Sequence, residues 1–99
     1  MTVFNESKVD KLPSFCKQTY LKYAKDIEKY NFDEYGVYTA KSILYNGISN
    51  LGDISFGVVL NSGLSTYNNS NASEEDKANM KLLINNWIHK RNKAIGNRR

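Results

Sequence analysis

Apolar residues return every three or four positions through most of this chain, and that rhythm constrains its fold more than any other feature. In the most regular run, Val37, Ala40, Leu44, Ile48 and Leu51 are spaced three, four, four and three. Only one face of an α-helix collects residues at that spacing. Asp33 is placed to cap this helix. Phe32 before it and Val37 inside it occupy the two positions of a hydrophobic staple, and Gly52 is a natural stop.

The same reading yields three more helices. From Pro13 to about Tyr30, Cys16, Tyr20, Ala24 and Ile27 form a stripe widened by Phe15 and Tyr23. Proline suits a first helical turn, where its missing N–H would go unused. Lys17, Lys22, Lys25 and Lys29 lie mostly off that face, partly balanced by Asp26 and Glu28. The last helix opens at Ser73 after the loop Asn68–Ala72. Glu74, Glu75 and Asp76 fill its first turn, where the helix dipole favours negative charge. Met80, Leu83 or Ile84, Trp87 and Ile88 form its inner face, with Gly96 as a candidate C-cap. Residues 53–67 are ambiguous. As a helix, Asp53 caps it and Phe56, Val59, Leu60, Leu64 and Tyr67 share a face; as a strand, Ile54, Phe56, Val58 and Leu60 alternate. The longer periodicity favours the helix. In that case Gly57 and Gly63 mark close approach of a neighbouring helix.

The expected fold is therefore all-α, a compact four-helix bundle or orthogonal helical array. The alternative is α+β, with a short strand or hairpin near residues 50–62. Ninety-nine residues correspond to one small helical domain, with loose ends at about 1–10 and 96–99. Seven tyrosines and four phenylalanines argue against disorder, since disordered chains are poor in aromatics. No apolar stretch is long enough for a transmembrane helix. The first residues have neither the basic nor the apolar region of a secretory signal, which predicts a cytoplasmic protein or one acting inside a host cell.

Motifs for catalysis and metal binding are lacking. His89 and Cys16 are the only residues of their kinds, too few for zinc, and their spacing suggests no nucleophile–base pair. Cys16, beside Phe15, reads as a small buried hydrophobe. Neighbouring acids such as Asp26 and Glu28 diverge on a helix. There is no phosphate loop, dinucleotide fingerprint or EF-hand loop. The expectation is a non-enzymatic protein without a cofactor.

Charge is the remaining signal. Residues 80–99 hold six cations (Lys81, Lys90, Arg91, Lys93, Arg98 and Arg99) and no acid, while the preceding residues hold eight lysines against ten acids. A near-neutral body thus carries a strongly positive end, which predicts an anionic partner. On the first reading the partner is nucleic acid. Lys81, Lys90, Arg91, Lys93, Arg98 and Arg99 would then contact phosphates, with Asn86 and Asn92 as polar contacts. Trp87 reads as a core anchor rather than a base-stacking platform. The second reading is an inhibitor, immunity or regulatory factor that binds an acidic protein surface. The tyrosines favour it, because Tyr is enriched at protein interfaces. Leu82 and Ile88 widen the apolar face of the last helix and could serve a homodimer.

Three resemblances accompany these readings. Asn86-Trp87-Ile88 resembles a homeodomain recognition helix, but Lys90 and Asn92 stand where that family has its base-reading Asn and its Arg. Leu83-Ile84-Asn85-Asn86-Trp87 resembles a segment in the last helices of DnaD-like replication domains, a resemblance that implies DNA binding and helicase loading. In length and helix count the chain is similar to small bacteriocin immunity proteins, which implies a cytoplasmic bundle with a functional C-terminal region.

Overall fold

The computed structural model describes residues 6–49 and 56–96, all of the regular structure in them being helical. The protein is all-α, with α1 (Ser14–Ala24), α2 (Glu34–Ser49), α3 (Phe56–Asn68) and α4 (Glu74–Gly96). Two 3-10 helices, Glu6–Lys11 and Lys25–Lys29, flank α1. Residues 56–62 belong to α3, so the strand considered there does not form. Leu51, Gly52, Asp53 and Ile54 lie outside the described residues. Part of the stretch expected to be a loose N-terminal end is the first 3-10 helix, and its Val9 is buried.

The helix starts follow local chemistry. Pro13 has extended ψ and offers its carbonyl to the Lys17 N–H at 2.9 Å. The Asp33 carboxylate accepts the Gly36 N–H at 2.8 Å, and the Ser73 hydroxyl accepts the Asp76 N–H at 3.1 Å. Each cap satisfies a backbone donor that the first turn leaves free. Phe32 and Val37 both pack against the core, as a staple requires. The first helix does not continue as an α-helix to Tyr30. It tightens to 3-10 geometry at Lys25 and ends at Tyr30, whose backbone is extended.

The core is built from the predicted stripes. Ala40, Leu44 and Ile48 of α2, Leu60 and Tyr67 of α3, and Met80, Leu83, Ile84 and Trp87 of α4 are buried. Helix α2 packs on α3, α3 on α4 and α1 on α2. The α2–α3 seam is antiparallel and interlocked by glycines. Ile43 of α2 fits over Gly63, and Leu60 and Phe56 of α3 fit over Gly47. A Cβ on Gly63 would lie 2.6 Å from Ile43 Cγ1, so close approach, as expected for Gly63, is what that glycine serves. Cys16 is half-buried against the same core.

Candidate nucleic-acid interface

Trp87 anchors the basic end of α4 to α1. It is fully buried, and its indole Nε1 donates to the Tyr23 carbonyl oxygen at 3.0 Å. One turn further along, Lys90 Nζ donates to Asp26 Oδ2 at 2.6 Å. Both bonds join residues 64 apart in sequence, so the two segments run side by side in the same direction.

Asp26 is the one buried charged residue among the described residues, and it takes two cations. Lys29 approaches Oδ1 at 3.2 Å while Lys90 holds Oδ2. Burial pushes the Asp26 carboxyl pKa up. The hydrogen bonds and positive charges of Lys90 and Lys29 outweigh that and bring it below the usual carboxylate value. Lys90 Nζ also sits 5.7 Å from the centre of the Tyr23 ring.

This carboxylate brings together two lysine runs that the sequence keeps apart. Lys22, Lys25 and Lys29 recur at spacings of three and four, which puts them on one side of α1 and its 3-10 extension. Asn86, Lys90 and Lys93 recur at four and three, along the edge of α4 that meets Asp26. Residues 22–29 and 90–93 carry six cations against two carboxylates, a local excess of four positive charges in these two segments. By contrast, Lys17 pairs with Asp10 at 3.2 Å and Lys77 with Glu74 at 3.7 Å.

The predicted contact residues do not form one surface. Asn86, Lys90 and Lys93 share the edge facing residues 22–29. Lys81 and Asn92 are exposed and eleven positions apart, a whole number of turns, on the other edge of α4. Arg91 is half-buried, with its Nε enclosed and without a hydrogen-bond partner among the described residues. Arg98 and Arg99 lie outside the described residues. Leu82 is exposed, whereas Ile88 packs against the core, so only Leu82 extends the apolar face outward. Lys22, Lys25 and Lys29 are not part of the site that the sequence predicts. Their common spacing is visible there, but the Asp26–Lys90 pair that joins them to α4 spans most of the chain.

A second surface lies between α2 and α3. A groove of about 630 Å³ is lined by Tyr35, Tyr38, Ser42, Asn46, Ser62 and Thr66, among others, and no lining residue is charged. Tyr35 stacks on Tyr67 at its end, with ring centres 5.9 Å apart. None of these residues belongs to the basic flank.

Among the described residues, no three His, Cys, Asp or Glu side chains gather as metal ligands would, and no helix is long and apolar enough to cross a membrane. No family model, curated protein or solved structure matches this chain.

Proposed function

We propose that this protein is a non-enzymatic helical binding protein that engages the phosphate backbone of nucleic acid. Its contact surface is the flank shared by residues 22–29 and the C-terminal half of α4. The observation that carries this reading is the double pairing of Asp26, which sets Lys29 beside Lys90 and so joins two lysine runs into one positive surface. Lys90 positions that surface, because its ammonium is committed to Asp26. Lys22, Lys25 and Lys93 supply phosphate contacts.

Binding to labelled oligonucleotides across a salt titration tests the reading, since each neutralised phosphate adds roughly 0.7–0.9 to the salt slope. Replacing Lys22, Lys25 and Lys93 together by Glu should weaken binding strongly and flatten the slope. Lys81→Glu, on the far edge of α4, should change it much less. Equal losses from both, or no loss from the triple variant, would overturn the proposal.

The tyrosine-lined α2–α3 groove favours a second reading, a protein partner held on that uncharged face. Ser62→Arg should then release a co-purifying partner while leaving nucleic-acid binding untouched. Retention of the partner by the variant would count against it.

A further inference from the structure

We infer that the nucleic acid taken by this flank is single-stranded, with Phe15 as the platform on which a base stacks. The inference rests on the proposed nucleic-acid reading and narrows it. Phe15 is 62% exposed in the first turn of α1. An isolated exposed apolar side chain is ordinary; the location of this one is what matters. Phe15 and Lys22 are seven residues apart in α1, so the ring stands on the Lys22 side of the helix, about 10 Å before it.

The other aromatic rings near the flank are committed elsewhere. Trp87 and Tyr23 are buried in the core, and Tyr30 packs on Phe32 with ring centres 5.7 Å apart. Among the described residues, Phe15 is therefore the ring on this side that is open to a ligand. In a duplex every base face is already occupied by its neighbours, so a ring beside a cationic track gains little. A single strand presents free base faces along a charged backbone. A track of cations with an aromatic at its mouth matches both features. Stacking on a ring reads no base edge, so binding tolerates any sequence.

The full-length chain should be titrated into labelled oligothymidylate and into a duplex of equal length at matched salt. Tighter binding to the single strand is expected. Phe15→Ala should weaken that binding by about 5- to 100-fold and duplex binding less than about twofold, while Phe15→Trp retains affinity. Because Phe15 is exposed, an unchanged urea midpoint should show that the Ala variant is folded. Equal affinity for the two forms, or no effect of Phe15→Ala on the single strand, overturns this inference and leaves the broader proposal standing. No binding of either form at low salt overturns both.

Discussion

Lys90 Nζ donates to Asp26 Oδ2 at 2.6 Å, one turn beyond the bond from Trp87 to the Tyr23 carbonyl. The pair fixes how the basic end of α4 lies against the end of α1. It also changes what a charge reversal at Lys90 would report. On sequence grounds, Lys90→Glu with Arg91→Glu reads as a surface change that would abolish binding and spare the fold. In the structure, Lys90→Glu sets a second carboxylate against buried Asp26, so a loss of binding would be mixed with a loss of stability.

Stability measurements should separate the two partners of this pair. Lys90→Met leaves Asp26 buried with only Lys29 beside it, whereas Asp26→Asn leaves an ammonium that is about a third exposed and can be hydrated. Lys90→Met should therefore cost more, about 1–3 kcal/mol, a figure discounted from that of a fully buried pair because Lys90 reaches solvent. Urea denaturation checks this. An Asp26→Asn variant less stable than Lys90→Met would contradict it.

The same carboxylate gives the fold an acid-sensitive limb. Its folded pKa lies below the ordinary value of 3.8, despite burial, because Lys90 and Lys29 favour the charged form. Such a group contributes stability in full above its unfolded pKa and loses that contribution as the pH falls through its folded one. The stability difference between wild type and Asp26→Asn should hold steady down to about pH 4 and shrink below it. Denaturant midpoints from neutral to acid pH would show this, and a difference that does not change with pH would refute it.

Helix periodicity makes most of the fold legible in the sequence. Val37, Ala40, Leu44 and Ile48 form the inner side of α2, and the caps at Asp33 and Ser73 stand where their residue types suggest. Local pattern carries that information because capping and amphipathicity are short-range. The site is only partly legible. Excess charge points to the end of α4, but in the sequence Asp26 looks like one of several acids balancing nearby lysines. Its burial and its bond to Lys90 are products of tertiary packing, which no local pattern records. The sequence marks Gly63 as a point of close helix approach, but the residue that approaches it, Ile43, is named only by the packing.

Gly63 offers a sign-reversal test of the α2–α3 seam. In an exposed helix, Gly→Ala stabilises by about 1 kcal/mol. Here the new methyl would lie 2.6 Å from Ile43 Cγ1 and 3.0 Å from its Cδ1. Gly63→Ala should therefore destabilise by about 1–3 kcal/mol, the usual cost of overpacking. With Ile43 first cut back to Ala, those atoms are gone and the same substitution should become stabilising. A double-mutant cycle in urea checks the reversal. An equal effect in both backgrounds would mean that the helices do not meet at this pair.

Tyr67 should impose a limit at the alkaline end. Its ring is buried against the core, and its hydroxyl has no hydrogen-bond partner among the described residues. Burial first, then the charges of Asp76 and Asp33 with Tyr35 nearby, push its pKa from 10.0 to about 12. Because the folded state resists ionising this phenol, its contribution to stability is complete below pH 10 and is lost as the pH rises toward the folded value. Tyr67→Phe removes the ionisation together with the unpartnered hydroxyl. At neutral pH the variant should be within about 1 kcal/mol of wild type, or more stable, because no hydrogen bond is broken. Above pH 10 it should keep stability that wild type loses. Absorbance titration of tyrosinate should show one late-titrating phenol missing from the variant. A wild-type curve without that late step would place the Tyr67 hydroxyl in contact with solvent.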